Sequence, residues 1–376
     1  MHPDLLGAPT GVRRKATRAP HALAALVLGL LLALARGANI SICVDRPTMF
    51  CVDGAPTHAG MPSVTGLLLN SRMIQGVFDD ANATTRPLWA YPGGAPFSPQ
   101  RQTSEFVGNM TAYAACGLDA FTVGMQGGGP EPTFPADQPN ESSGFARDGT
   151  PLPAYLERLA AVLAGAEKAR LVPIVSLFYQ GQVERIDGDA AVAVAVDAMV
   201  DWLVAGGHAP HVILEIANEV GCAAFPPSLT PPTVHLLIAR ASARAKGALL
   251  VSTSFLPNVA PPPDSAIAAA AFVTVHCNGL TAAEIAAHIA GIRATAAWQA
   301  RPKPIVFNEC GTNLTAMDAA VAGGASWGYY DQGESNYADG FQSPPTNWNV
   351  SAAPLKRAFF ARVAQYAQAP RCEAAL

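Results

Sequence analysis

The chain has 376 residues, of which half are hydrophobic and 14% are charged, and its formal net charge is −4. This composition supplies enough apolar side chains for a large core, so it excludes a mainly disordered chain. The excess of acidic residues grows once the first 37 residues are left out. Because an acidic body repels a phosphate backbone, we expect no nucleic-acid partner.

Residues 1–37 have the pattern of a secretory signal peptide. Basic residues between Arg13 and Arg18 precede an apolar run over 22–35, and small residues follow that run. The run is shorter than the ~20 residues that span a bilayer, which favours a cleaved leader over the alternative, a signal anchor. We therefore expect a chain that is secreted or held in the secretory pathway or at the cell surface, without stable membrane insertion after cleavage.

Sequons and cysteines after the leader fit the same compartment. Six N-x-S/T sequons occur, at Asn39, Asn82, Asn109, Asn140, Asn313 and Asn349. All seven cysteines follow the leader, and Cys43 and Cys51 are close enough in sequence to close a small loop. An odd number leaves at least one thiol unpaired within the chain. No C-x-x-C pair occurs, so we predict no metal site, and we expect no cofactor.

The order of predicted elements indicates an α/β fold. Residues 38–71 are expected to be irregular. Strands are predicted at Met73–Phe78, Ala120–Met125, Leu171–Phe178, Val212–Asn218, Ala248–Ser254, Phe272–His276, Pro304–Asn308 and Ala325–Tyr329. Helices are predicted between them at Glu105–Cys116, Ala154–Ala169, Ala190–Ala205, Thr233–Lys246, Asp264–Ala270, Ala282–Ala297, Thr315–Val321 and Ala353–Gln368. Alternation of this kind predicts βα units around a parallel sheet.

Eight strands with nearly continuous apolar runs predict a single (β/α)8 TIM barrel over residues 72–370. An open, doubly wound sheet is the alternative, but no G-x-G-x-x-G follows the first predicted strand. A long stretch rich in Gly, Pro and Asn, Gln126–Pro153, follows the second strand. In a barrel this stretch would lie at the face where substrate clefts form.

Two of the predicted strands end on the same dipeptide. The run VILEIANEVG contains Asn218 and Glu219, and the run PIVFNECG contains Asn308 and Glu309. The carboxyl ends of barrel strands face the active site, so both glutamates are placed for chemistry. A pair of carboxyl groups on different strands is what hydrolysis of a glycosidic bond requires.

These motifs resemble those of the clan A glycoside hydrolases, and most closely the family 5-like cellulases and mannanases. The Asn-Glu pair closes the fourth strand and the second glutamate closes the seventh. The resemblance implies that Glu219 is the general acid/base, that Glu309 is the nucleophile, and that Asn218 binds the hydroxyl beside the anomeric carbon. It also implies substrate contacts for His276 on strand six and Trp327 on strand eight.

Three further residues are candidates for substrate binding. Asn278 stands where these enzymes carry a strand-six tyrosine. Tyr330 offers an aromatic face of the kind that sugar rings stack on. Asp79 follows the first predicted strand on the correct rim, although a solvated turn accounts for it equally well.

The predicted activity is that of a retaining glycosidase. Such an enzyme cleaves a β-glycosidic bond in a polysaccharide, oligosaccharide or glycoconjugate through two glutamates. One protonated carboxyl group protonates the leaving oxygen, and one carboxylate attacks the anomeric carbon. The alternative is a catalytically silent carbohydrate-binding barrel. Carboxyl groups about 5 Å apart favour the enzyme.

Overall fold

The computed structural model describes residues 37–128, 139–222, 225–257, 260–331, 337 and 340–375. The predicted signal peptide, apart from its last residue, lies outside the described residues, as does part of the insertion after the second strand. Three short strands, β1 to β3, come first, at Ile40–Ile42, Phe50–Val52 and Ala55–Pro56. The strands of the main sheet, β4 to β11, are Asn70–Arg72, Ala120–Gly124, Val172–Phe178, Ile213–Ala217, Leu250–Ser252, Val273–His276, Ile305–Gly311 and Ser326–Tyr329.

The main sheet is an eight-stranded, all-parallel and nearly closed (β/α)8 barrel, which confirms the predicted fold class. Its order is β8-β7-β6-β5-β4-β11-β10-β9. The two end strands are linked partly by side chains: Ser252 Oγ donates to the carbonyl of Phe272 at 2.8 Å, and Thr274 Oγ1 donates to Ser252 Oγ at 2.9 Å. The carboxyl ends of all eight strands therefore meet at one mouth.

Helices separate successive strands and cover the barrel. The helices α1 to α9 are Pro99–Ala115, Pro153–Ala169, Gly188–Ala205, Val234–Arg244, Asp264–Ala269, Ala282–Ala294, Ala296–Ala300, Leu314–Ala322 and Pro354–Ala367. The largest apolar cluster fills the layer between these helices and the sheet. Burial of that layer is the main stabilising term of the fold. Among the described residues, no helix is both long enough and apolar enough to cross a bilayer.

The segment before the barrel, expected to be irregular over 38–71, contains three short strands. Strands β1 to β3 form an antiparallel sheet. Its residues Ile40 and Phe50 join a second apolar cluster with Leu68, Ala120 and other residues at the amino ends of the barrel strands. The small sheet therefore covers the end of the barrel opposite the mouth.

The first barrel strand was misplaced by the sequence analysis. The predicted strand Met73–Phe78 contains a 3-10 helix at Ile74–Val77, and the strand itself is Asn70–Arg72. Its residues are polar yet fully buried. Because Asn70 and Arg72 belong to a polar barrel interior, hydrophobicity did not mark the strand. The apolar residues Met73 and Val77 pack instead into the layer beneath the helices.

Three disulfides cross-link the described chain. Cys43–Cys51 closes a loop beside the small sheet, as the sequence suggested. Cys116–Cys372 ties the end of α1 to the C-terminal 3-10 segment Pro370–Ala374. Cys277–Cys310 joins β10 to the loop after β9. Cys222 is the one free thiol among the described residues.

Candidate active site

Glu219 lies just beyond the end of β7 in a strained conformation. Its φ is +49°, a left-handed value that costs a residue with a side chain on the order of 1–3 kcal/mol. The turn is held by Ser254, whose Oγ accepts from the backbone N–H of Glu219 at 3.0 Å and whose carbonyl accepts from Val220 at 2.9 Å. Strain held in place in this way is typical of functional sites.

Glu309 reaches the interior by a different route, because it lies inside β10. The register between β10 and β9 shifts between the pairs Phe307↔Val275 and Glu309↔His276. This irregularity allows two consecutive side chains to face the interior, as β-bulges commonly do near active sites. Asn308 Nδ2 donates to Glu215 Oε1 at 3.0 Å, and Glu309 turns toward the mouth.

The two carboxylates meet at the mouth. An oxygen of Glu219, an oxygen of Glu309 and a ring nitrogen of His276 all lie within 4.8 Å of one another. The side chain of Glu219 is 15% exposed and that of Glu309 is 9% exposed. The sequence alone placed both residues at strand ends; the structure shows how short the separation is.

Glu309 is surrounded by hydrogen-bond donors and positive charge. The Nε of Arg72, on β4, lies 2.7 Å from Glu309 Oε2. Asn278 Nδ2 donates to Glu309 Oε1 at 3.0 Å, and His276 Nδ1 lies 3.4 Å from Glu309 Oε2. The arrangement holds the carboxylate at a fixed position beside a buried, permanent cation.

Glu219 has neutral neighbours as well as His276. His276 Nδ1 lies 3.0 Å from Glu219 Oε1, and Gln180 Nε2 donates to Glu219 Oε2 at 3.1 Å. Asn218 Nδ2 donates in turn to Gln180 Oε1 at 3.1 Å. His276 therefore contacts both carboxylates, and Gln180 connects the side chain of Glu219 to that of Asn218 through hydrogen bonds.

Burial and charge split the pKa values of the two glutamates. Burial acts to raise the pKa of Glu219, but His276, Arg72 and Gln180 together outweigh it and hold that pKa below the ordinary 4.5. Burial raises the pKa of Glu309 above 4.5, although the charges of Arg72 and His276 oppose that rise. Burial also acts to lower the pKa of His276, yet the charge of Glu309 and the bond to Glu219 raise it above 6.5. One proton therefore lies more readily on Glu309 than on Glu219.

Four of the predicted binding residues lie in this cluster. Asn218 and His276 are buried, and Asn278 is partly buried. The Oδ1 atoms of Asn218 and Asn278 and the Nε2 of His276 are buried and have no hydrogen-bond partner among the described residues. Tyr330 is buried at the end of β11, with its ring centroid 5.8 Å from the guanidinium carbon of Arg72.

Trp327 does not lie where the sequence analysis expected it, at the mouth. It is fully buried, belongs to the apolar layer, and packs against Phe359 of α9 with ring centroids 6.2 Å apart. On β11 the neighbouring Gly328 faces the interior, where an added Cβ would strike Asn70 and Asn308. Because successive side chains alternate, Trp327 must face the helices. Its expected position beside a bound sugar is corrected accordingly.

Asp79 lies in a separate ion-pair group. Its carboxylate is 2.6 Å from the guanidinium of Arg86 and 3.9 Å from that of Arg158. Within the described chain, no contact joins Asp79 to either glutamate. Its predicted role in substrate binding gains no geometric support.

Neither Arg72 nor Gln180 is among the site residues predicted from the sequence. The signal for Arg72 was the run Leu67–Leu69 followed at once by polar residues, which resembles the strand ends that did mark the glutamates. Gln180 lies two residues beyond Phe178, the last residue of the third barrel strand. Position at a strand end was therefore a better guide than residue type.

Glu219, His276 and Glu309 could in principle hold a metal ion, since imidazole and carboxylate groups are common ligands. The guanidinium of Arg72 already occupies Glu309 Oε2, and its charge would repel a divalent cation. The donor set fits a proton-sharing carboxylate pair better than it fits a metal centre.

No family model and no curated protein matches the chain. Similar structures are a variant of the family 5 glycoside hydrolase mannosidase of Rhizomucor miehei and a protein of Bacteroides vulgatus described as a glycoside hydrolase. The Rhizomucor enzyme has a TM-score of 0.50 and 13% identity, with 88% of this chain and 99% of that one covered. The Bacteroides protein has a TM-score of 0.50 and 10% identity over 82% of this chain, which spans 57% of that protein's length.

The β-mannanase of the blue mussel Mytilus edulis is similar at a TM-score of 0.49 and 11% identity, with 88% of this chain and 97% of that one covered. Identities this low bear on the fold and not on the reaction. The chain has the family 5-like (β/α)8 barrel fold of the clan A glycoside hydrolases.

Proposed function

We propose that this protein is a retaining glycosidase that cleaves a β-glycosidic bond by double displacement. Glu309 is the proposed nucleophile and Glu219 the proposed acid/base. The observation that carries the proposal is the separation of the two carboxylates, whose nearest oxygens lie within 4.8 Å. Retaining enzymes hold their carboxyl groups about 5–5.5 Å apart, whereas inverting enzymes need about 6.5–9.5 Å to admit a water molecule.

In the first step, a Glu309 oxygen attacks the anomeric carbon while Glu219 gives its proton to the departing oxygen. In the second step, Glu219 takes a proton from water, the water oxygen attacks the same carbon, and the bond to Glu309 breaks. Arg72 stabilises the Glu309 carboxylate before attack and after release. The unpartnered Oδ1 of Asn218 is an acceptor for a substrate hydroxyl group.

The roles require the shared proton to move. In the free protein the pKa directions favour a proton on Glu309, whereas the first step needs it on Glu219. His276 Nδ1 lies within 3.4 Å of both carboxylates, so the path is short. We assign this transfer to the substrate complex, in which a bound sugar replaces part of the surroundings of the pair.

The test is a screen of the protein against aryl β-glycosides and β-linked polysaccharides, with Glu309→Gln as control. Turnover by the parent chain, lost in the variant, supports the proposal. Glycan binding without turnover would contradict it and favour a silent carbohydrate-binding barrel. Inversion at the anomeric carbon, followed by NMR of the first product, would contradict the double displacement.

The proposal includes a secretory route. It is supported by the leader pattern, by three disulfides among the described residues, and by exposed sequons. Asn313 and Asn349 are exposed, and the Oδ1 of each accepts from the N–H and hydroxyl of the residue two positions on. Asn140 is 0% exposed.

Expression of the full chain in a eukaryotic secretory host tests the route. We expect a chain in the medium that has lost its leader, with glycans on Asn313 and Asn349 and none on Asn140. Glycan release followed by peptide mass spectrometry measures all three sites. An unprocessed chain without glycans, retained in the cytosol, would contradict the route.

A further inference from the structure

The Cys277–Cys310 disulfide adjoins Glu309 in sequence, and it also adjoins His276 and Asn278, two of the three residues that contact the Glu309 carboxylate. We propose that it is a positioning element for Glu309, which fixes the nucleophile relative to His276 and Asn278. The proposal rests on the proposed function of Glu309.

The two cysteines are sequence neighbours of Glu309 and of two residues that contact it. Cys310 directly follows Glu309, and Cys277 stands between His276 and Asn278. His276 Nδ1 lies 3.4 Å from Glu309 Oε2, and Asn278 donates to Glu309 Oε1 at 3.0 Å. The covalent link therefore joins the residue after Glu309 to the residue that lies between His276 and Asn278, two of the three contacts of its carboxylate.

The pairing of β10 with β9 is irregular beside the disulfide. Regular pairing of β10 with β9 ends at Phe307↔Val275, and the register shifts before Glu309↔His276. A bulge disrupts the local ladder and leaves one residue without its cross-strand pair. Beyond the shift, the N–H of Cys277 donates to the carbonyl of Glu309 at 2.8 Å, beside the disulfide. The cross-link therefore lies directly beyond the register shift, where it fixes the separation of the two backbones beside Glu309.

Burial keeps the link rigid. Cys277 is 1% exposed and Cys310 is 5% exposed, and both belong to the apolar layer beneath the helices. The disulfide packs on the helix side of the sheet, whereas the Glu309 carboxylate faces the interior. It therefore acts on the carboxylate through the backbone and is not itself in contact with substrate.

A second disulfide of the chain is a matched control. Cys116–Cys372 closes a loop with a sequence separation of 256, compared with 33 for Cys277–Cys310. In the chain-entropy account, the disulfide that closes the longer loop stabilises more. Loss of Cys116–Cys372 should therefore lower the melting temperature more, and loss of Cys277–Cys310 should lower kcat more.

The experiment compares Cys277→Ala/Cys310→Ala with Cys116→Ala/Cys372→Ala in the full chain. On an aryl glycoside that the parent turns over, we expect kcat to fall about 10- to 100-fold in the first variant, because small displacements of a reacting group have effects of that size. KM should change little, and the second variant should keep the parent kcat in its folded fraction. If the first variant does not fold, Cys277→Val/Cys310→Ala fills more of the lost volume.

A readout without turnover separates this proposal from the proposed function. The pKa of the His276 ring, followed by NMR of labelled histidines, reports the approach of Glu309, Glu219 and Arg72 to that ring. We expect it to fall toward 6.5 in the Cys277/Cys310 variant and to stay unchanged in the Cys116/Cys372 variant. An equal His276 pKa in both variants would overturn the positioning role, whatever the activity. A parent chain without turnover but with the expected pKa change would overturn the glycosidase and leave the positioning role supported.

Discussion

The dipeptides Asn218-Glu219 and Asn308-Glu309 are identical in sequence, but their backbone conformations differ. Glu219 lies beyond the end of its strand and itself has a left-handed backbone conformation. Glu309 lies within its strand, and a register shift allows its side chain to face the interior. Glu219 is bonded by His276 and the neutral Gln180, whereas Glu309 contacts the buried cation Arg72. Two identical dipeptides thus arrive at one mouth by different backbone routes.

The difference in surroundings is also a difference in proton affinity. The pKa of Glu219 lies below 4.5 because His276, Arg72 and Gln180 together outweigh its burial. The pKa of Glu309 lies above 4.5 because its burial outweighs the charges of Arg72 and His276. Two carboxyl groups whose pKa values are pushed apart are a common basis for acid/base chemistry. Here the split concerns the free protein, and the proposed reaction reverses it.

The largest predicted effect is the loss of kcat when either glutamate is replaced, and its dependence on the leaving group should differ between the two. Glu309→Gln should lose on the order of 10⁴-fold or more in kcat on every substrate, because no other group can form the glycosyl-enzyme. Glu219→Gln should lose about 10²–10⁴-fold on poor leaving groups and much less on activated aryl groups, which need little protonation. Kinetics on a series of aryl glycosides measures both variants. Equal losses across the series for Glu219→Gln would remove the role assignment.

Arg72→Met tests the contribution of the buried cation beside Glu309. Breaking a buried ion pair by removal of one partner destabilises a protein by about 3–5 kcal/mol. The pKa of Glu309 should rise further, since a lowering charge is lost, so the alkaline limb of kcat/KM should move to higher pH. Chemical denaturation and the pH dependence of kcat/KM measure the two effects. A variant as stable and as active as the parent would show that the pair is not coupled.

The pH dependence of the parent chain gives a third test. The reactive pair has one proton, so activity should fall where Glu219 gains a second proton and where Glu309 loses the last one. The acidic limb of kcat/KM should therefore lie below 4.5 and the alkaline limb above it. Two limbs on the same side of 4.5 would contradict the split.

The smallest effect on turnover is expected from Trp327→Ala. The ring lies in the apolar layer against Phe359, so its loss should cost roughly 3–5 kcal/mol of stability and leave kcat of the folded fraction unchanged. Trp327→Phe should retain more of the stability. Thermal melts beside kinetics measure both. A large loss of kcat at an unchanged melting temperature would return Trp327 to the sugar site.

The barrel fold and the positions of Glu219 and Glu309 could be predicted from the sequence, because apolar runs that end on polar residues mark strand ends at the mouth. Which face of the sheet each side chain points to could not be predicted. Trp327 lies within β11, between Ser326 and Gly328, and it faces the helices because Gly328 faces the interior. Arg72 was missed because the polar residues of β4 are buried inside the barrel, where hydrophobicity is no guide. The register shift before Glu309 depends on how β10 pairs with β9, and pairing between distant strands cannot be predicted from a local sequence pattern.

Trapping of the glycosyl-enzyme tests the central claim most directly. A 2-deoxy-2-fluoro glycoside with a good leaving group slows both steps, so the covalent intermediate of a retaining enzyme accumulates. Peptide mass spectrometry of the protein treated with a panel of such glycosides identifies the labelled residue. The proposed mechanism predicts one label, on Glu309, and none on the Glu309→Gln variant. A label on Glu219, or turnover with no label on any residue, would contradict it.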